Sequence, residues 1–528
     1  MYSKILPTVV ILMLTSRAFC QLMYQKVYGD ASTNKAFSVL TLTNGDIVMS
    51  GQTGNTPTTK DVLLMRTDSL GSLIWSKSIG TAQSEEGRVS KQTPDGGFII
   101  SGYSSGTNVD AALFKTDING NLLWSKKYGG TGNDFAWPLD ITASGEIYLA
   151  GWSSSTVYGG LYDAFVIKTN NTGDTLWTKM FGTSNEDYFR GLATTSDGGC
   201  IAVGETNGWS SNYDVNVVKL NSNGTTAWSK VLGTVSDIDY AWTVKQTSDG
   251  GYIIGGNSGI NSGTGDILLI KLDATGNTTW SKMIGDGNLS LNTCRSIIET
   301  STGNLLMSGY TGIGGGNEEG LVIMFNNNGD TIWTKQYAPG IQAEHIRFII
   351  EKNPNKFIAS GYSSSLGSGL EDIFLLRLSS NGFAGGCNES SVNFNTNSFT
   401  IPSISGIPSA STNFTTTIIS GSTSLTYSSS THCSSNPPTF INEDAFINTK
   451  INLYPNPFTT VATLRSEIPL KKATLLIYNS FGQEVMQINN INGQTITLDR
   501  NNLASGLYFL QLTEDNKTFY NDKLVITD

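Results

Sequence analysis

The sequence predicts an all-β protein: a seven-bladed β-propeller whose N-terminal strand closes the last blade, followed by a small C-terminal β-sandwich. Three observations predict it. A Trp-Ser/Thr-Lys strand recurs six times at a near-constant interval, a turn-plus-strand signature recurs seven times, and no long stretch carries apolar residues at a helical period.

The repeat comes first. Trp75, Trp124, Trp177, Trp228, Trp280 and Trp333 each open a Trp-Ser/Thr-Lys strand, at steps of 49, 53, 51, 52 and 53 residues. A period near fifty, with Gly80, Gly129, Gly182, Gly233 and Gly285 ending successive units, is what a four-stranded blade needs. The unit ending at Trp124 shows four extended stretches: Arg88 to Thr93, Phe98 to Tyr103, Ala111 to Thr116 and Leu122 to Tyr128. The turns between them carry Asp, Asn and Gly, which bond the turn backbone or supply positive φ. Turn-plus-strand copies begin near Gly45, Asp95, Ser144, Asp197, Asp249, Thr302 and Asn355, one more than the Trp strands. Tyr24-Gln25-Lys26-Val27-Tyr28-Gly29 supplies the missing fourth strand, and a ring closed this way leaves no unpaired edge at the seam. The Trp residues read as packing between blades, with the following Lys ammonium in water. Asp110, Asp163, Asp214, Asp266 and Asp372 open third strands and read as turn or edge caps, since calcium would need denser oxygen ligands.

Four regions follow: a signal peptide over 1–20, the propeller over 21–382, a Ser/Thr-rich linker or β stalk over 383–446, and a separate β domain over 447–528. Lys4 precedes an apolar core from Ile5 to Leu14, too short to span a membrane, and no later segment is long enough either. Arg17, Ala18 and Phe19 before Cys20 fit a lipobox poorly. Of the remaining cysteines, Cys387 and Cys433 bracket the Ser/Thr-rich segment and are the candidate disulfide, while Cys200 and Cys294 fall within strands and read as buried.

The last region carries a resemblance. Asn452-Leu453-Tyr454-Pro455-Asn456-Pro457-Phe458, then Phe481-Gly482-Gln483-Glu484-Val485, then Leu503-Ala504-Ser505-Gly506-Leu507-Tyr508 resemble the C-terminal sorting domain of the type IX secretion system of Bacteroidetes. The resemblance implies passage through the inner membrane on the signal peptide and export by the type IX machinery. Release, or attachment to the outer surface of a Gram-negative cell, would follow. The ending Ile526-Thr527-Asp528 departs from the basic residue that many members carry. The repeats likewise resemble Asp-Gly-Gly/Trp-Ser-Lys propellers of bacterial surface proteins, which implies a fold and little activity.

Composition narrows function. With 33 Lys+Arg against 43 Asp+Glu, the net charge of -10 disfavours non-specific binding to nucleic acid. The two histidines, His345 and His432, lie in different regions, and no cluster has metal-ligand spacing, so no metal or cofactor is expected. No P-loop or GxSxG elbow with its partners occurs.

One constellation remains. Before each first strand comes an acid or amide, and three residues later a large side chain: Asn34/Phe37, Glu85/Arg88, Asp134/Trp137, Asp187/Arg190, Asp239/Trp242, Asn292/Arg295 and Glu344/Arg347. If first strands line the central channel, these pairs form a rim of carboxylates, guanidinia and indoles at its mouth. Two readings stay open: acids that cap turns with aromatics wedged between blades, or a platform for a glycan or peptide. The latter implies a binding protein such as an adhesin. A carboxylate-based glycan hydrolase or lyase at the same rim, and a purely structural surface protein, are the alternatives.

Overall fold

The computed structural model describes residues 23–528 apart from 55–59, 156, 209–211, 234–236, 260–264, 286–289, 314–316, 338–342, 368–369, 386–388, 392–393, 399–400, 402, 406–408, 412–414, 419–422, 426–427, 436–450, 480–483, 502, 515–516 and 528. The expected signal peptide and Cys387 lie outside the described residues, as does the side chain of Cys433. Among the described residues every regular element is a strand. The chain divides into two compact units, Gln21–Ser435 and one that holds Asn436–Asp528.

In the first unit each sequence repeat folds as an antiparallel four-stranded meander. In the third of these sheets, Asp134–Ile141 pairs with Ile147–Ser153, which pairs with Asp163–Thr169, which pairs with Thr175–Phe181. The second and third strands are buried throughout and read as continuous apolar runs, whereas the fourth begins exposed. Tight turns join the first and second strands, as where the Gly145 N–H donates to the Thr142 carbonyl at 2.9 Å with Gly145 at φ 87°.

There are seven such sheets among the described residues. The last, built on Glu344–Asn353, Lys356–Ser363 and Asp372–Leu378, takes its fourth strand from Met23–Gly29, with Tyr24 opposite Arg377 and Tyr28 opposite Ile373. The first strands pack in a cycle in which sheet 1 touches both sheet 2 and sheet 7. Between sheets, each Trp lies against the turn glycine of the next, Trp75 on Gly120 and so on to Trp333 on Gly382. Tyr24 and Tyr28 of the last sheet meet Gly71 of the first in the same way. Lys126 and Lys282 differ from expectation: their ammonium groups pair with Asp174 and Asp330 of the neighbouring turn at 2.6 and 3.0 Å, because those turns bring a carboxylate within reach.

The glycine ending each unit has a steric cause. A Cβ on Gly29, Gly80, Gly129, Gly182, Gly233 or Gly285 would lie 1.6 to 2.4 Å from a carboxylate oxygen of Asp372, Asp61, Asp110, Asp163, Asp214 or Asp266. The aspartate that opens the third strand and the glycine that ends the fourth are therefore one device.

Residues 389–435 depart from the expected linker or stalk. They add a fifth strand to the outer edge of every sheet, in an order opposite to the chain: Glu389–Ser391 on sheet 6, Asn395–Ser398 on sheet 5, Ser403–Ser405 on sheet 4, Ser409–Ser411 on sheet 3, Thr415–Ile418 on sheet 2, Thr423–Leu425 on sheet 1 and Ser428–Ser435 on sheet 7. The reason is the row of unpaired N–H and C=O groups that an open fourth strand presents, which a short polar strand can satisfy. Phe394 enters the apolar core shared by sheets 5 and 6, and Ile401 that shared by sheets 4 and 5.

The second unit is one bent antiparallel sheet. Val461–Asn479 pairs through its first half with Ile451–Tyr454, through its second half with Gly506–Glu514, and along its length with Glu484–Asp499; Gly506–Glu514 in turn pairs with Lys517–Ile526. Register breaks between Arg465 and Ala473 turn the sheet so that Leu464, Leu475, Leu510 and Leu524 share one core.

Candidate functional site

Each first strand of the first unit carries a β-bulge, and each bulge falls on the large side chain singled out in the sequence. Register slips between Ala36 and Ser38, Gly87 and Ser90, Ala136 and Leu139, Phe189 and Gly191, Ala241 and Thr243, Cys294 and Ser296, and Ile346 and Phe348. The unpaired positions hold Phe37, Arg88, Trp137, Arg190, Trp242, Arg295 and Arg347. A bulge re-aims its side chain, and here the second strand makes room for it. Opposite each bulge is a glycine, Gly51, Gly102, Gly151, Gly204, Gly256, Gly309 or Gly361, whose added Cβ would lie 1.7 to 2.0 Å from a first-strand carbonyl oxygen.

All seven bulged side chains line one cavity of about 110 Å³, together with Lys91, Lys245, Thr243 and the apolar Val89, Leu139, Leu192, Val244 and Phe348. They are stacked on one another. The Arg88 guanidinium lies between Phe37 at 4.4 Å and Trp137 at 4.2 Å, and that of Arg190 between Trp137 at 5.3 Å and Trp242 at 4.7 Å. Arg295 lies 3.7 Å from Trp242, and Arg347 5.5 Å from Phe37. Each contact joins a cation to the negative face of a ring.

The acids of the expected rim are elsewhere. Glu85, Asp134, Asp187, Asp239 and Glu344 are fully buried, and none lines the cavity. Each stands opposite the last residue of its second strand, in the pairs Glu85/Ser104, Asp134/Ser153, Asp187/Thr206, Asp239/Ser258 and Glu344/Ser363. Several also cap the preceding turn: Glu85 accepts from the Thr81 N–H at 3.0 Å, Asp134 from the Gly130 N–H at 2.9 Å, and Asp187 from the Thr183 N–H at 2.7 Å. Burial raises the carboxyls of Asp134 and Asp187 to about 6. Asn34 fills the same place in sheet 1, accepting from the Thr53 hydroxyl at 2.8 Å and donating to Asp30 at 2.8 Å. The three-residue spacing separates the pair because the strand runs from its capped end inward to the bulge.

A second layer, which the sequence reading missed, surrounds the cavity. It comes mainly from the residue after each second-strand glycine. Glu205 takes both the Nε and a terminal nitrogen of Arg190, with Nε at 2.6 and 2.8 Å from its two oxygens. Trp152 packs edge-on against Trp137 at 4.9 Å, Asn257 accepts from the Trp242 indole N–H at 2.5 Å, and the Tyr310 hydroxyl accepts from Arg295 at 2.8 Å. Arg88 pairs with Glu86, which also holds Lys60 at 3.0 Å. His345 is sandwiched between Tyr310 at 4.0 Å and Tyr362 at 4.7 Å, and its Nε2 meets Glu318. Burial, assisted by Arg347, lowers its imidazole to about 4 against the pull of Glu318. Deeper in the cavity Lys91 pairs with Asp140 at 2.8 Å, while burial and the charge of Lys91 lower Lys245 to about 8. Among the described residues no group of three or more His, Cys, Asp or Glu side chains is placed to hold a metal. Cys200 and Cys294 are buried, and burial pushes both thiols up, Cys294 to about 12.

In the second unit, two of the three sequence motifs converge on the C-terminal strand. The Val525 N–H donates to the Asn456 side chain at 2.8 Å, and the Phe458 N–H donates to the Val525 carbonyl at 3.0 Å. Arg500 donates to the carbonyls of Leu503 at 3.0 Å and Thr527 at 3.1 Å and to the Ser505 hydroxyl at 3.0 Å. Phe481, Gly482 and Gln483 lie outside the described residues. Residues 452–527 match the family described as the secretion system C-terminal sorting domain.

The second unit is a C-terminal sorting domain.

With this domain the protein is addressed to the type IX secretion machinery and is secreted or held at the outer-membrane surface. No helix of the described residues is long and apolar enough to cross a membrane. None of the curated proteins compared matches the chain. Among solved structures the chain is similar to PorZ of Porphyromonas gingivalis, a surface component of the type IX secretion system, at 12% identity and a TM-score of 0.39, covering 95% of this chain and 60% of that one. The chain thus spans somewhat less than two thirds of PorZ. A Dyadobacter fermentans protein of unknown function matches at 11% identity and a TM-score of 0.38, over 68% of this chain and 98% of that one. The α-L-arabinofuranosidase Arb93A of Fusarium graminearum matches at 11% identity and a TM-score of 0.36, over 68% and 93%.

Proposed function

We propose that the first unit is a closed seven-bladed propeller that acts as a secreted or surface-held binding protein, and that its central cavity recognises an extracellular glycan or peptide. On this reading residues 1–20 are a removable signal, 447–528 serve export, and Cys387 and Cys433 are the candidate disulfide. The observation that carries the reading is the convergence of seven bulged side chains on one cavity. Bulges interrupt pairing, so seven of them at one height are a cost to the sheets that a scaffold alone does not require. The residues also differ from sheet to sheet at a position whose glycine partner never changes, which suits recognition of an asymmetric ligand.

The hydrolase reading is less well supported. Its acids, among them Asp187 and Asp239, are buried at the ends of their strands, and no Asp or Glu is among the residues lining the cavity. The test is an array of soluble glycans and peptides probed with the full secreted protein, with Trp137→Ala and Trp242→Ala as variants. Binding that weakens at least tenfold in either variant supports the reading. A blank array would favour a structural surface role.

A further inference from the structure

We infer that the cavity takes an acidic sugar, with its carboxylate held between Arg295 and Arg347. This deepens the proposed binding function and rests on it. The argument begins with parity. Around the cavity the bulged residues run Phe37, Arg88, Trp137, Arg190, Trp242, Arg295, Arg347, alternating ring and cation. Seven positions cannot alternate completely, and the mismatch falls where Arg347 follows Arg295.

The other cations are compensated. Arg88 has Glu86, Arg190 has Glu205, and Lys91 has Asp140. Lys245 is close enough to Asp140 to feel its charge. Arg295 has one neutral partner, the Tyr310 hydroxyl at 2.8 Å, and its Nε is buried with no hydrogen-bond partner. Arg347 meets the faces of Phe37 and Tyr362, at 5.5 and 5.9 Å, and forms no ion pair among the described residues. Two carboxylates act on them without bonding to them, Glu318 on both and Glu205 on Arg295, and each is hydrogen-bonded elsewhere, Glu318 to His345 and Glu205 to Arg190. Two adjacent guanidinia with no carboxylate bonded to either are under-compensated in a recessed site unless an anion joins them. In a chain of net charge -10, this cavity collects six cations and no acid among its lining residues.

The chemistry of the wall narrows the occupant further. Guanidinium planes already cover faces of both indoles, so stacking of a neutral sugar on open aromatic faces is not what the cavity offers. Its polar lining side chains are donors apart from the Thr243 hydroxyl. Peptide N–H groups would find few acceptors there, whereas sugar hydroxyls can accept and a carboxylate matches a guanidinium fork in bidentate fashion.

The test is calorimetric titration of the full secreted protein with galacturonate oligomers, neutral galactose oligomers, polyglutamate and sodium sulfate. Arg347→Gln and Arg295→Gln are the variants, Lys126→Gln is the control, and a thermal melt of each verifies folding. Expected are binding of the galacturonate oligomers alone, a loss of tenfold or more in Arg347→Gln, and no change in Lys126→Gln. If Arg295→Gln fails to melt cooperatively, Arg347→Gln alone decides. Binding of polyglutamate or sulfate in place of galacturonate would overturn the sugar assignment. Neutral-oligomer binding indifferent to Arg347→Gln would overturn the anion site and leave the proposed binding function standing. A blank across all four probes, together with a blank array, would remove both.

Discussion

Asp134 and Asp187 bury carboxyl groups at a position where sheets 1 and 6 use Asn34 and Asn292, so the protein contains its own control for Asp134→Asn. Burial raises the Asp134 carboxyl from 3.8 to about 6. Each tenfold change in proton affinity is worth about 1.4 kcal/mol, so ionised Asp134 costs the folded state about 3 kcal/mol relative to a neutral group. The sign follows from the raised value: the contribution to stability is intact below the unfolded value near 4 and is lost as pH rises through about 6. Asparagine escapes this loss but offers one acceptor oxygen in place of two, so either the Gly130 N–H, now bonded at 2.9 Å, or the Ser153 hydroxyl loses its acceptor. That costs about 1 kcal/mol. The variant should therefore be less stable than the parent by about 1 kcal/mol at pH 4 and more stable by about 2 kcal/mol at pH 7.5. His345 acts in the opposite direction, because its lowered imidazole destabilises the fold as pH falls below the unfolded value. It is present in both proteins and cancels in the difference. Asp95, Asp197 and Asp249, held at about 2 by hydrogen bonds and their lysines against burial, titrate below this window. Urea unfolding followed by Trp fluorescence at pH 4, 5, 6 and 7.5 measures the difference. A pH-independent gap, or a variant that loses ground as pH rises, would refute the reasoning.

Gly151→Ala places a Cβ 1.8 Å from the Phe135 carbonyl oxygen, and should destabilise by about 3 kcal/mol or more in a thermal melt. A loss under about 1 kcal/mol would mean that the bulge yields easily. Removing 21–30 takes away the strand that lies between Asp372–Leu378 and Ser428–Ser435, and should make the whole first unit protease-sensitive. Removing 451–528 should leave that unit resistant to protease but retained in the cell. Arg500→Ala should loosen the tail by about 1 to 2 kcal/mol and lower the secreted fraction on immunoblots, since three hydrogen bonds to its motif loop and last strand disappear.

The repeat was legible because the chemistry of each four-stranded sheet is local. The Trp strand, the Asp-Gly turns and the terminal glycine each mark a position that steric contact fixes, as Gly129 against Asp110 shows. The large residue three places into each first strand was legible too, but its partner was misplaced. Spacing set Asp134 and Trp137 close together without revealing that the acid sits at the paired end of the strand and the indole in a bulge further in, so the acid is buried at the strand end and the indole lines the cavity. A signal for the bulge was present in the second strand, where Gly51, Gly102, Gly151, Gly204, Gly256, Gly309 and Gly361 recur inside otherwise apolar runs. Residues 389–435 were illegible for a different reason. Their fold depends on seven partners far away in sequence, and three-residue strands of Ser and Thr carry no hydrophobic period of their own. His345, Tyr310 and Glu318 meet only through the packing of sheets 6 and 7, which no single repeat encodes.

The odd number of bulges leaves a choice at the junction, and the sequence's answer can be tested without a ligand. A second ring beside Phe37, or a thioether in place of Arg347, would end the repulsion between two like charges. Arginine at 347 instead adds a cation beside Arg295, whose guanidinium is lowered to about 10 by burial and by the Arg347 charge. If Arg347 serves only packing, Arg347→Met should cost about 1 kcal/mol through lost contact with Phe37 and Tyr362. If it is kept for an anion, the same change should raise stability by about 1 kcal/mol by removing a poorly compensated, partly buried charge, as apolar replacement of buried ions often does. Melting the parent and the variant in low-salt buffer free of carboxylates distinguishes the two. A gain that disappears when an anionic ligand is added to the parent would tie the cost at this junction to recognition, whereas a loss would make Arg347 part of the packing.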